Sequence, residues 1–442
     1  EFLLLDIQNI IYVIGENICE INHHMLKCLL SKYVNKTACQ SLTLLLATAF
    51  SMLFLVGINF LLTRILDTEQ YGNYSFIINI FVFSQTLFNF GFFYSICRLI
   101  SISENDLAIR SYYYVGIIIW GILSVIMCLS LLVYSLFTEN FENNGILGVF
   151  LSILPLGSVY LYTSFNEIVL QGDNRINLLS VSRVFPRVIF FSFLLIFYQF
   201  NNSGGLLSIL VLYFVSYIIV YLYLLFKIRP VAFNVKICFK EIFSLNKEYG
   251  LPIYIGSLFA VGASNFMGVL LGMLSIDNTA VGFYNIALQL SIPLSMLPNI
   301  LATVLYKKFV FSRCVSKKVL LILLLSSVLI YMCILCFSKP FISIVFGDKY
   351  LQAVPLLKFM CFGALLYGIA DFFNKFLLSK GKGKMLRNVS FIVGIVIVCL
   401  SYPFIKFWGG YGASYIKVIA GIVYMMAIVY MYRLTVKKEN GN

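Results

Sequence analysis

Between Arg187 and Lys227 the chain carries no charged residue, and Phe, Leu, Ile, Val and Tyr fill most of the run. About 20 apolar residues suffice for a helix to cross the hydrocarbon of a bilayer, so the run has room for two crossings. The polar cluster Asn201-Asn202-Ser203-Gly204-Gly205 is the turn expected to divide them. Similar charge-free windows recur along the whole chain. With 61% hydrophobic and only 11% charged residues over 442 positions, the solvent around this protein is largely lipid. Backbone groups in hydrocarbon must find internal partners, which leaves helices or a closed barrel. Barrel strands alternate apolar with polar side chains, whereas these runs are continuous, so the expected fold is an all-α polytopic membrane protein.

A charge at mid-bilayer is costly, so charged residues bracket the crossings. The sequence predicts helices at about 41–63, 75–97, 112–137, 145–169, 179–199 and 205–226, then at about 250–274, 279–305, 319–338, 352–378, 388–406 and 411–432. Most of the 32 Lys and Arg fall in alternate loops, while the intervening loops hold only Arg64, Lys339, Lys349 and Lys406. That asymmetry explains the net charge of +14 as topology rather than nucleic-acid binding, and it predicts both termini on the cytoplasmic side. Cys333 and Cys336 form a C-x-x-C inside a predicted helix, where small buried residues are expected rather than metal or redox chemistry.

The basic stretch 227–249 separates two sets of six helices, a bundle over 25–226 and a second over 250–442. Residues 1–24 open without Met and are broken by Asp6, Glu16 and Glu20. With Met25-Leu26-Lys27 reading as a natural start, they are expected to be an upstream readthrough or cloning remnant. His23-His24 falls inside that stretch and is not read as a metal site.

The halves echo each other. Asp67, Gly72 and Tyr74 follow the first helix at the spacing with which Asp277, Gly282 and Tyr284 follow the seventh, and Gln171-Gly172-Asp173 after the fourth matches Lys380-Gly381-Lys382 after the tenth. Copies with an even helix count keep one orientation, so a pseudo-twofold axis along the membrane normal is expected, with a central cavity between the bundles. In the first motif, Asp is expected to cap the next helix, Gly to permit a tight turn and Tyr to join the interfacial aromatic belt. On this reading the motif organises an outer gate.

The segment TRILDTEQYGNYSF at Thr63 to Phe76, its echo at Asp277 to Tyr284, the Tyr249-Gly250-Leu251-Pro252 start of helix seven and the Phe-Gly-x-x-Tyr-x-x-Ala pattern at Phe346 to Ala353 resemble a Wzx-type flippase. Such proteins belong to the multidrug/oligosaccharidyl-lipid/polysaccharide exporter superfamily, and the similarity covers roughly residues 25–435. The resemblance implies a bacterial inner-membrane protein that moves an undecaprenyl-diphosphate-linked oligosaccharide, an O-antigen or similar repeat unit of lipopolysaccharide, between leaflets by alternating access. It implies lipid-linked oligosaccharide and membrane lipid as partners, with other polysaccharide-assembly proteins, no cofactor, and coupling to a proton or sodium gradient or to the membrane potential. No bond is made or broken, so no enzyme is expected.

An anionic headgroup needs a hydrated, positively charged cavity, which makes ionisable residues inside helices the first candidates. Lys358, Asp371 and Lys375 lie in helix ten, the last two at i, i+4 and able to pair, either as a structural ion pair or as a working site. Asn374 beside them suits sugar hydroxyls or a contact between helices. Lys417 in helix twelve lines a cavity or snorkels to the interface. Arg98, Arg183 and Arg187 near cytoplasmic helix ends fit a diphosphate or the topology rule. Glu167 fits a coupling cation or a pairing with Arg, and Pro293, Pro298, Gly262, Gly268 and Gly272 are placed to bend helices. A large aromatic content, 42 Phe and 29 Tyr, invites sugar stacking, although lipid contact accounts for most of it.

Two rivals remain at this level. A cation-coupled multidrug exporter of the same superfamily would place acidic groups in the cavity. A membrane polysaccharide polymerase would carry a sizeable outer loop, and every predicted outer loop is short.

Overall fold

The computed structural model describes residues 36–200 and 205–440, and among them there are helices and turns and no strand. The leader 1–24 and the Asn201–Gly204 part of the turn cluster lie outside the described residues. In the first half the crossings are α1 (Lys36–Ile65), the bent pair α2 (Thr68–Leu87) and α3 (Phe92–Ile102), α4 (Asp106–Phe137), α5 (Leu147–Gly172), α6 (Ile176–Gln199) and α7 (Leu206–Ile228). In the second half α9 (Leu251–Ser257) and α10 (Ala263–Leu274) form one run, followed by α11 (Thr279–Phe311), α12 (Lys317–Phe346), α13 (Ala353–Ser379) and α14 (Gly383–Asn440). The last stretch is two helices that meet at a kink at Gly409 (φ 52°, ψ −129°), and it supplies two crossings.

Between the halves lies the connector helix α8 (Val235–Leu245), which the sequence reading did not predict. Two further departures matter. The predicted helix 75–97 is broken: Phe90 and Gly91 adopt positive φ (45° and 82°), and α2 and α3 meet at 57°. Helix seven is irregular too, with π turns at Asn246–Gly250 and Leu258–Gly262. Gly268 and Gly272 face α2, where a Cβ would come within 2.3 Å of Asn79 and 2.2 Å of Phe76. Pro293 and Pro298 both lie inside α11.

The two halves meet mainly through α2, which packs against α10 and α11. Helix α13 is the axis of the second half, enclosed by α11, α12 and α14. Helix α12 is nearly bare, with Leu325 and Leu329 62% and 65% exposed, as a lipid-facing helix should be. Cys333 and Cys336, expected to be buried, lie on that same exposed helix.

The second sequence echo does not hold in its own register. Helix α5 ends with Arg175 N–H on Leu170 O (3.1 Å) and Asn174 in the left-handed region, and α13 ends with Lys382 N–H on Leu377 O (3.1 Å) and Gly381 there. The same C-terminal motif closes both helices. Asn174, rather than Gly172, is therefore the counterpart of Gly381.

Candidate functional site

At the end of the bundle opposite α8, the first repeated motif becomes a contact between halves. Asp67 caps α2, accepting from Gln70 N (2.7 Å), and Asp277 caps the start of α11, accepting from Thr279 N (3.0 Å). The glycines make no turn. Gly72 lies within α2 against the backbone of Asn278, where a Cβ would stand 2.1 Å from the Asn278 oxygen, and Gly282 faces Tyr71 and the Cα of Gly72. Tyr74 and Tyr284 are 8% and 4% exposed, inside the protein rather than in an interfacial belt. The expectation of a turn and a belt fails because helices that cross this closely need glycine inside them.

Buried amides stitch this contact. Asn278 donates to Asn73 (2.8 Å) and to Asn140 (3.0 Å), and Asn140 donates back to Asn278 (3.2 Å) and to Gly272 O (2.6 Å). Nearer the centre, the Tyr71 hydroxyl donates to Asn59 (2.8 Å), whose amide in turn donates to Gln289 of α11. The third motif closes over the top. Tyr350 stacks edge-on to Tyr71 (5.7 Å) and Phe283 (6.0 Å), and Lys349 Nζ donates to Leu66 O (3.1 Å). Burial pushes the Tyr350 phenol above its usual range, and the Asp67 carboxylate adds to the effect. At the connector end Gly250 abuts Gly91, and Asn246 accepts from Ser95 (3.1 Å) and donates to Phe90 O (3.2 Å).

Between these ends Arg187 reaches a cavity of about 110 Å³ bounded by α1 and α11, with Asn59, Gln289 and Pro293 in its wall. Helices α1 and α11 approach each other only sparsely. Arg187 Nη1 donates to Ser51 O (3.1 Å) and to the Ser51 hydroxyl, which fixes the guanidinium and leaves its other nitrogens without a hydrogen-bond partner among the described residues. Nearby, α7 presents Tyr213, Tyr217 and Tyr221 four residues apart, with Tyr213 and Tyr217 rings 4.9 Å apart and the Tyr213 hydroxyl 2.7 Å from that of Tyr160. Arg183 is spent differently, on Glu167 (3.2 Å) and Thr48 (3.3 Å). Arg98 is exposed at the connector end over the Tyr249 ring (5.9 Å).

The second half holds a separate cavity of about 210 Å³ among α10, α11, α13 and α14. Lys417 lines it with its ammonium 4.3 Å from the centre of the Tyr367 ring, so it points inward rather than snorkelling. The close pass of α14 over α13 requires Gly363, where a Cβ would meet the Lys417 backbone at 3.0 Å. Asp371 and Lys375 form no ion pair. Instead Asp371 accepts from the Tyr424 hydroxyl (2.9 Å), which itself accepts from Asn374 (2.7 Å), and Lys417 and then Lys375 act on the carboxylate by charge alone. Lys358 is exposed and stands half a turn of register away from Tyr367, off this cavity.

Thus Lys417, Lys375, Asp371 and Asn374 gather in one half and Arg187 stands in the other, while Arg98, Lys358 and the Arg183–Glu167 pair join neither cavity. Asn59, Asn73, Asn140, Asn278 and Gln289 were missed, although amides inside apolar helices are a readable signal of helix-to-helix bonding.

Two six-helix halves, joined along α2, with one cavity between them and a second inside the C-terminal half, define a polytopic helical transporter fold. Three solved structures share it. A lipid II flippase MurJ in an inward closed conformation is 15% identical with a TM-score of 0.69, over 88% of this chain and 87% of that one. An inward-facing multidrug resistance MATE family transporter of the MOP superfamily is 13% identical with a TM-score of 0.59, over 88% and 95%. A MOP superfamily transporter from Pyrococcus furiosus is 11% identical with a TM-score of 0.53, over 90% and 94%. Among curated proteins no sequence matches the chain. A family model described as polysaccharide biosynthesis protein matches residues 39–306, and the chain belongs to that family.

Proposed function

We propose that this protein is a flippase that carries an undecaprenyl-diphosphate-linked oligosaccharide, an O-antigen or similar repeat unit, across the bacterial inner membrane by alternating access, with both termini cytoplasmic. One observation carries the reading: Arg187, pre-oriented by Ser51, faces a cavity between the halves where α1 and α11 stand apart. A guanidinium with free N–H groups suits a diphosphate, and a cleft flanked by two separated helices lets a polyprenyl tail stay in lipid. The carboxylate in the second half is bonded to Tyr424 while Lys417 faces its cavity, a charge balance that favours an anionic cargo over a cationic drug.

Energy enters through proton or sodium exchange or through the membrane potential, which supplies about 2.3 kcal/mol per charge per 100 mV. The test is complementation of a deletion strain by Arg187→Ala and Arg187→Lys at matched protein abundance. Export of surface polysaccharide should be lost with Ala and impaired with Lys. Normal polysaccharide with Ala, accompanied by altered drug sensitivity, would replace this reading with a drug exporter.

A further inference from the structure

The connector helix α8 has a design that neither packing nor transport uses. Its side chains fall into four rows of residues four apart. Cys238 and Ile242 are buried against α4 and α3. On the opposite side Lys236 and Lys240 form an exposed row, continued one turn and more beyond the helix by exposed Lys247. Apolar side chains flank that row: Phe233 and Ile237 on one side, half-buried Phe239 and exposed Phe243 on the other, with Phe233, Ile237 and Phe243 all 45–56% exposed.

The orientation of the helix follows from its bonds. Phe233 O accepts from Ser111, Cys238 Sγ lies 3.4 Å from the Ser111 hydroxyl, and Glu241 accepts from the Tyr112 hydroxyl (2.6 Å). Three connector residues spread over positions 233–241 thus bond to two adjacent residues of α4, Ser111 and Tyr112, so α8 crosses α4 transversely instead of running along it. A helix laid across a membrane-spanning helix near its end lies in the plane of the bilayer boundary, with its apolar flanks at acyl-chain depth.

None of the three lysines forms an ion pair among the described residues; Glu241, exposed beyond Ile237 in the same row, accepts from the Tyr112 hydroxyl, and Glu248 is exposed beside Lys247. Like charges at i, i+4 disfavour a helix unless an anion sits between them. We propose that α8 is a binding site for anionic phospholipid headgroups, with Lys236, Lys240 and Lys247 taking the phosphate and Phe233, Ile237 and Phe243 entering the acyl region on either side. A soluble phosphate would use the lysines alone. A phospholipid uses the lysines and the flanks together, and the pattern matches the second.

The full chain, reconstituted in nanodiscs of equal phosphatidylcholine and phosphatidylglycerol, tests this by native mass spectrometry of retained lipid. Phosphatidylglycerol should be enriched roughly tenfold or more over phosphatidylcholine. The triple variant Lys236→Gln, Lys240→Gln, Lys247→Gln should lose at least about fivefold of that enrichment. The corresponding Arg triple should keep it, as should a control triple at exposed basic positions elsewhere, Lys317→Gln, Lys318→Gln, Lys384→Gln. Unchanged enrichment in the first Gln triple, or an equal loss in the control triple, overturns the site. So does displacement of retained phosphatidylglycerol by free glycerol phosphate, which would mark a soluble-phosphate site instead.

Discussion

Replacing Gly72 by Ala should pry the halves apart at the end opposite α8. An ideal Cβ there stands 2.1 Å from the Asn278 oxygen, 2.4 Å from its carbonyl carbon and 2.8 Å from Thr279 N. An ordinary carbon contact is about 3.5 Å, so α2 must retreat from α11 by more than an ångström. The obstructing atoms are backbone, and no side-chain rotation relieves them. Overpacking of this kind costs about 1–3 kcal/mol, and the retreat also stretches the 2.8 Å Asn278–Asn73 bond. Since every 1.4 kcal/mol is about tenfold, the population open at this end should rise roughly fivefold to a hundredfold. Ser75, 3% exposed in α2 with its carbonyl facing Asn285, reports that opening. The modification rate of a Ser75→Cys variant by a water-soluble thiol reagent, read peptide by peptide by mass spectrometry, measures it. Gly282→Ala should raise the rate less, because its Cβ meets the Tyr71 ring at 3.0 Å and Gly72 Cα at 3.3 Å, and a ring can give way. An unchanged rate with Gly72→Ala, or a larger effect from Gly282→Ala, would refute the contact as a closure between the halves.

Three further outcomes follow from the second half. Lys375→Ala should impair export of surface polysaccharide with protein abundance unchanged, and normal export at normal abundance would remove Lys375 from the site. Tyr424→Phe leaves Asp371 and Asn374 without their shared partner, which should cost about 1–3 kcal/mol and lower the melting temperature in detergent, while Tyr430→Phe on the exposed face of the same helix should not. Gly363→Ala should also destabilise, by about 1–3 kcal/mol, because the new Cβ meets the Lys417 side chain at 2.8 Å and its backbone at 3.0 Å. Gly383→Ala, with nothing within 4 Å, is the matched control.

The helix boundaries were readable because lipid penalises charge so strongly that Lys, Arg, Asp and Glu bracket each span. The same solvent hides what happens inside a span, since the face turned to lipid and the face turned to protein are both apolar. That is why Tyr74 and Tyr284 read as interfacial residues while they lie buried, and why the Phe90–Gly91 break went unseen in a run with no charge and no proline. Spacing has a related limit. Asp371 and Lys375 are correctly placed to pair along α13, yet Tyr424 arrives from α14 with a hydroxyl and takes the carboxylate, a competition that no local pattern records. The short motifs fared better than their expected roles. Gly72 meets Asn278, Tyr350 meets Tyr71, and Gly250 meets Gly91, so all four segments that carried the resemblance lie where one half touches the other. A sequence repeat whose two copies touch is under a physical constraint that isolated capping residues are not. Changing Gly72 or Gly282 alters the partner's fit as well as its own. The repeated Asp-Gly-Tyr motif is therefore best understood as an interface between the two copies, with helix capping by Asp67 and Asp277 setting the height at which the glycines meet.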